Sequence, residues 1–269
     1  MTEVNQNPCL TRRRSRPVGR PDQPSAHKRV GRWLSAFGAW LLPTRCTLCA
    51  VECKGTIALC TPCRNDLEMN RPCCSRCAEP LPRAEPLCGR CLKREPPFEA
   101  AFAGFRYAWP LDGLIARFKF AGDLAAGRTL ARLLATRIRA ESLPLPALLV
   151  PVPLHRRRLR QRGYDQALEL AHDIAHELDL PLAANLLSRT RATAAQTDLD
   201  AAQRRRNVRR AFAVNPRSLS RLSARPPIAL LDDVMTTGST LRECATVLKR
   251  AGFTNIQVWA IARAPARSL

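Results

Sequence analysis

Apolar residues are sparse over the first 28 positions and then recur with changing periods. Residues 1–28, rich in Arg, Pro, Gln and Ser, predict a disordered basic tail whose densest charge is Arg12, Arg13, Arg14 and Arg16. Such a tail is either solvated or in weak contact with phosphate. Val30, Trp33, Leu34, Phe37, Trp40 and Leu41 then fall on one stripe, so residues 29–43 predict a short amphipathic helix that Pro43 ends. Its apolar face suits packing on the neighbouring module or lying on a membrane surface. Residues 44–95 hold few large apolar side chains, and Pro96-Pro97 closes that stretch.

Over residues 98–269 the periods are those of an α/β domain. Ala101–Tyr107 alternates loosely, as an edge strand does. Ala147–Val152, Ile228–Leu231 and Ile256–Ile261 are continuous apolar runs, the pattern of buried parallel strands. Leu124–Ala140, Tyr164–Leu180 and Ser239–Ala251 have helical spacing. Strands alternating with helices predict a parallel, doubly wound sheet. Ser218–Pro227 reads as a flexible connection between elements.

Charge and cysteine change this picture. Lys and Arg total 44 against 22 acidic residues, a formal net charge of +22. That excess predicts polyanionic company: phosphorylated substrates, nucleic acid or an acidic membrane surface. Two acid-free clusters concentrate it. His155–Gly163 carries Arg156, Arg157, Arg158, Arg160 and Arg162, while Arg204–Arg210 carries Arg204, Arg205, Arg206, Arg209 and Arg210. No run approaches the roughly 20 apolar residues that span a bilayer. The apolar stretch Trp33–Leu42 also lacks the flanks of a signal peptide. A cytoplasmic location is expected, where thiols stay reduced.

All twelve cysteines but Cys9 and Cys244 lie between Cys46 and Cys91. Cys46, Cys49, Cys60 and Cys63 read C-x2-C-x10-C-x2-C, and Cys74, Cys77, Cys88 and Cys91 repeat that spacing 28 residues later. Two converging C-x-x-C turns make a tetrahedral thiolate site with no open position, which predicts two structural zinc ions. Regular spacing and reducing surroundings favour zinc over a disulfide cluster or an iron–sulfur centre. Cys53 and Cys73 stand outside the register, and choosing Cys74 over Cys73 rests on the repeat.

The richest candidate chemistry is the run Leu230–Thr240. A buried strand there delivers Asp232 and Asp233 to its carboxyl end, where open α/β sheets bind ligands. Thr236, Thr237, Ser239 and Thr240 bring hydroxyls, Gly238 admits a close backbone, and the helix that follows aims its N–H groups at an anion. Carboxylates beside an anion cradle suit a sugar phosphate, since they accept from its vicinal hydroxyls.

This run resembles the phosphoribosyl-pyrophosphate loop of type I phosphoribosyltransferases. Together with the cysteine repeat and the stretches Val150–Gln166 and Arg191–Phe212, it resembles the ComF family, named for competence protein F. The resemblance implies a type I phosphoribosyltransferase fold behind a double zinc ribbon. It implies a pyrophosphate loop at His155–Gly163, with Arg156, Arg157, Arg158, Arg162 and Gly163, and a flap at Arg191–Phe212, with Arg204 and Asn207. Lys119 is a further candidate anion contact. Asp165 departs from the family, which commonly has Asn there.

Two functions follow from the resemblance. One is binding of phosphoribosyl pyrophosphate in the service of DNA uptake, with single-stranded DNA and a helicase-like protein as partners. The other is Mg²⁺-dependent phosphoribosyl transfer to an acceptor that the sequence does not identify. Aromatic residues, at 5% of the chain, add little support for stacking on single strands.

Overall fold

The computed structural model describes residues 44–192 and 201–265, without the side chains at 201, 202, 204 and 205. The tail and the helix expected over 1–43 lie outside the described residues. Helices α1 (Thr61–Asn65) and α2 (Gly89–Lys93) belong to the cysteine repeats. Next come β1 (Ala100–Arg106), α3 (Leu111–Phe120), α4 (Leu124–Ala140), β2 (Leu148–Pro151), α5 (Arg156–Arg162), α6 (Gln166–Leu178) and β3 (Leu187–Arg189). The last elements are α7 (Ala201–Val208), β4 (Phe212–Val214), α8 (Pro216–Ser220), β5 (Ile228–Met235), α9 (Ser239–Arg250) and β6 (Ile256–Arg263).

The strands β1, β6, β5 and β2 lie side by side in that order, all parallel. Leu230 sits opposite both Val150 and Val258, which fixes the register at the centre. β3 and β4 form a separate antiparallel pair.

Continuous apolar strands require cover on both faces, and the sheet has it. Ala229, Leu231, Trp259 and Ile261 face a core built with Leu114, Ile115 and Phe118 of α3, Leu130 and Leu134 of α4, and Leu170 and Ile174 of α6. Ile228, Leu230, Ile256, Val258 and Ala260 face a second core with Leu241, Ala245 and Leu248 of α9. Each fully buried Leu or Ile contributes about 1.5–3 kcal/mol. On the first face α3 and α4 meet at Gly127, where a Cβ would stand 2.5 Å from the Phe118 ring. The Asp123 carboxylate caps α4 by accepting from Ala126 N–H at 3.0 Å.

The cysteine repeats straddle the sheet. Cys46, Leu59 and Leu67 join the first core, whereas Cys74, Cys77, Cys88 and Cys91 join the second. The chain between them runs along the outer edge of β1, where Arg106 N–H donates to Glu68 O at 2.9 Å and Met69 bridges Phe105. The outer edge of β2 is likewise met, with Leu149 N–H donating to Pro181 O at 2.9 Å. Neither edge strand is left bare, which removes a template for aggregation.

Several local expectations change. β5 continues four residues past Leu231, so both aspartates belong to the strand. The arginine cluster at 156–162 is a helix, α5, started by His155 and stopped by Gly163 at φ 86°, and not an open loop. The expected flexible connection, Ser218–Pro227, begins inside a helix: its first three residues, 218–220, belong to α8, which Asn215 caps by accepting from Arg217 N–H at 3.1 Å.

Candidate functional site

The two cysteine quartets are duplicated in three dimensions. Cys46 N–H donates to Val51 O at 2.8 Å and Ala50 N–H to Cys46 O at 2.8 Å; Cys74 N–H donates to Glu79 O at 2.9 Å and Ala78 N–H to Cys74 O at 2.7 Å. Ala50 and Ala78 both take positive φ, 62° and 53°, to close these knuckles. Within each quartet the four sulfurs lie within 4.8 Å of one another, and all eight thiols are free of disulfides. Cys73 pairs by its backbone with Pro80 and stays outside the second quartet.

Four thiols this close cannot all ionise without a cation. Burial opposes ionisation at Cys46 and Cys88, yet N–H groups and neighbouring thiols bring them to about 6 and about 7. Burial and the adjoining sulfurs instead push Cys91 up to about 11. One thiolate among protonated partners is a site that a divalent, thiophilic ion completes. The residues present fit structural zinc at both quartets.

The second candidate centre lies at the carboxyl end of β5. Asp232 Oδ1 accepts from Asp233 N–H at 2.9 Å, and Asp233 Oδ2 receives Lys119 Nζ at 2.9 Å. Burial, then the charge of Asp233, pushes the Asp232 carboxyl up to about 7. Although burial works against it, Asp233 holds the Lys119 ammonium above its ordinary range. The acidic pair is thus balanced by a lysine from α3.

The chain then turns through Thr236–Gly238 into α9. Thr237 Oγ1 and Ser239 Oγ lie 2.7 Å apart, and Gly238 has φ 71°. A Cβ at Gly238 would stand 2.8 Å from Met235 Cε. Gly238→Ala should therefore cost about 1–2 kcal/mol in backbone strain and lower the melting temperature by roughly 2–8 °C. A melt unchanged within a degree would show that the turn tolerates a side chain.

Asp232, Asp233, Thr236 and Thr240 line a cleft of about 740 Å³ together with Lys119, Arg158, Arg162 and Arg189. Of the arginines expected on the pyrophosphate loop, Arg158 and Arg162 reach this cleft, whereas Arg156 and Arg157 are exposed on α5 and absent from its lining. Gly163 ends α5. Thr237, Gly238 and Ser239 shape the turn behind the lining. Asp165 caps α6, accepting from Leu154, Ala167 and Leu168 N–H groups at 2.7, 3.1 and 3.3 Å. Three backbone donors explain how an acid sits beside another acid there.

On the expected flap, Arg204 belongs to α7, with its side chain outside the described residues. Asn207 is half-buried on the same helix, and its carbonyl accepts from Arg191 at 2.9 Å. Arg210 N–H donates to Glu243 of α9 at 2.7 Å. The carboxyl end of this stretch is held against α9.

The lining residues that were not legible as candidates include Arg189, Tyr107 and Phe120. Arg189 comes from β3, stacked over Phe212 at 5.2 Å. Tyr107 follows β1, and Phe120, 74% exposed, ends α3 beneath the Arg162 guanidinium at 5.5 Å. Tyr107 could have been found by the rule that ligands gather beyond strand carboxyl ends; Arg189 offered no such signal.

The family model for a double zinc ribbon domain matches residues 37–92. Competence protein F of Haemophilus influenzae is 40% identical over 176 residues, which cover 64% of this chain and 76% of that protein. The DNA utilization protein YhgH of Escherichia coli K12 is 35% identical over 175 residues, 64% of this chain and 75% of the relative. Among solved structures, adenine phosphoribosyltransferase from Trypanosoma brucei overlaps 54% of this chain at 15% identity and a TM-score of 0.33, spanning 55% of that enzyme. Kinship rests on the sequence relation and not on that partial overlap. Matched zinc ribbons and 40% identity across three quarters of a relative place this chain in the competence protein F family.

Proposed function

We propose that this protein binds phosphoribosyl pyrophosphate with Mg²⁺ at the carboxyl end of β5, and serves DNA uptake in the cytoplasm through that ligand and single-stranded DNA. One observation carries the reading: an acidic pair and a hydroxyl-rich, Gly238-centred turn share a cleft with Lys119, Arg158, Arg162 and Arg189. Asp232 and Asp233 would accept from the ribose hydroxyls and hold the metal, and the guanidinium groups would face the phosphates. Mg²⁺, when bound, supplies further neutralisation of phosphate charge. Lys119 has to release Asp233 for the sugar to take its place. The relatives' names, competence protein F and DNA utilization protein, support the setting.

The test uses the raised Asp232 carboxyl, which must ionise to hold Mg²⁺ and to give the ribose a charged acceptor. Its folded-state value lies above the ordinary one, so the stability it lends is present at low pH and lost as pH rises towards about 7. Ligand affinity should run the opposite way, rising through that range and levelling above it. Calorimetry with Mg²⁺ and phosphoribosyl pyrophosphate at pH 6.5, in buffers of different ionisation heat, should record proton release on binding. Binding that is absent, or that takes up protons, defeats the reading.

Single-strand binding would depend on arginine and on salt. Each neutralised phosphate contributes a slope of about −0.7 on a log–log salt plot, so replacing Arg204, Arg205 and Arg206 by Ala should flatten the slope by about 2. Saturating phosphoribosyl pyrophosphate should weaken the same interaction. Indifference to both would make the charge incidental to DNA.

A second reading, phosphoribosyl transfer to a planar acceptor, is favoured by one feature. Tyr107 and Phe120 offer ring faces beside the acidic pair, where a base could stack. Release of pyrophosphate with any nucleobase tried would establish it.

A further inference from the structure

The side chain of Arg263, at the end of β6, is completely buried. Its guanidinium joins two places that are distant in sequence. Nε donates to the Cys77 carbonyl at 3.3 Å, and Nη2 pairs with the Glu79 carboxylate. Nη1 donates to the Met235 carbonyl at 2.9 Å and also to the Thr236 carbonyl. Cys77 is a ligand of the second quartet, and the Glu79 carbonyl closes its knuckle by accepting from Cys74. Met235 and Thr236 open the phosphate turn. A single planar, five-donor group thus spans from the metal knuckle to the site.

We infer that Arg263 is a positioning residue through which the metal-bound shape of the second ribbon sets the geometry of the phosphate turn. The Cys77 carbonyl and Glu79 carboxylate that it holds at the ribbon end stay fixed only while the Cys74–Cys77 knuckle is wrapped on its ion. A guanidinium with no water around it cannot abandon these acceptors cheaply, so it follows them, and the turn at 235–236 follows the guanidinium. Glu79 strengthens the link, since its carboxylate also receives Arg90 from α2 at 2.9 Å. The first ribbon has no counterpart: Val51 occupies the position that Glu79 holds in the second repeat, and it is exposed. Arg117 and Arg132 tie the first ribbon to α3 and α4 instead, through the Thr47 and Thr56 carbonyls. Only the second ribbon, among the described residues, is joined to the phosphate turn by a buried side chain of this kind.

The structural part of this inference is independent of the ligand; its consequence for affinity rests on the reading above. Hydrogen exchange on the full zinc-loaded chain separates them. Arg263→Lys and Glu79→Gln, each confirmed to retain two zinc ions, should speed exchange in the peptide covering 235–240 by about threefold or more. Exchange in the peptide covering 228–231 should not change, because local loosening leaves the strand intact. Cys88→Ser, which loosens the whole fold, should speed the turn by more than it speeds the 228–231 peptide, and Cys60→Ser should not. A turn that exchanges at the parental rate in both Arg263→Lys and Glu79→Gln overturns the inference. So does acceleration of both peptides in step, which marks general loss of stability. Phosphoribosyl-pyrophosphate affinity, measured on the same proteins, should fall about fivefold or more in the two variants by thermodynamic coupling. Failure of the parent to bind it defeats the ligand assignment, while the exchange result still decides the role of Arg263.

Discussion

Removing metal from the second ribbon should cost this protein its cooperative fold. All four sulfurs of that quartet are buried, and they pack in one core with Phe98, Val150, Met235 and Leu241. Structural zinc in comparable small sites contributes about 10–16 kcal/mol of apparent folding energy at neutral pH. A whole domain is stable by only about 5–15 kcal/mol. Chelation under reducing conditions should therefore lower the melting temperature by more than about 10 °C, or abolish the transition. Cys88→Ser should have the same effect, and the more exposed first quartet should suffer less. Acid should act in the same direction as chelation: thiolates take up protons as pH falls, so zinc leaves on the acid side. Elemental analysis of protein purified without added metal should return close to two equivalents. Folded, reduced protein with almost none would refute both the stoichiometry and the argument.

The second large effect belongs to the acidic pair. Asp232→Asn with Asp233→Asn preserves the shape but takes away both charged acceptors. Hydrogen bonds to charged groups contribute about 1.5–3 kcal/mol each, so the pair should weaken phosphoribosyl-pyrophosphate binding by about a hundredfold or more. The fold should survive, because neutralising Asp232 relieves a carboxylate that burial already disfavours. The melting temperature of the variant should accordingly lose its fall between acid and about pH 7. Undiminished binding by calorimetry would place the ligand elsewhere.

Much of this architecture was legible because the signals were local. The strands β2, β5 and β6 are runs whose neighbours alternate between two cores, and periodicity reports that directly. The helix Leu124–Ala140 begins at an Asp cap and ends where its apolar stripe ends, so its limits matched. The cysteine register was decisive for Cys74 over Cys73, since only one of the two can occupy the repeated knuckle. What escaped was set by distant partners. Five arginines in seven residues looked like a loop, but His155 and Gly163 cap them as a helix. Tyr107, Phe120 and Arg189 are separated widely in sequence and meet only because three elements end at one cleft. Arg263 lies two residues beyond the apolar run Ile256–Ile261, and only the fold brings Cys77, Glu79, Met235 and Thr236 to it.

The order of strands has a consequence for biosynthesis. Among the described residues β1 pairs in the sheet only with β6, which the ribosome makes about 150 residues later, roughly 8–30 s at ordinary rates of elongation. Throughout that interval the inner edge of β1 has no partner. Its outer edge is different, because residues 68–70 precede it and are already made. The cysteine repeats also precede it and need only metal to take shape. The nascent chain can thus cradle its first strand between two zinc-bound knuckles before the rest of the sheet exists. A cell starved of zinc would lose that shelter during translation, and the deficit would register as poor yield of this protein before any loss of its activity.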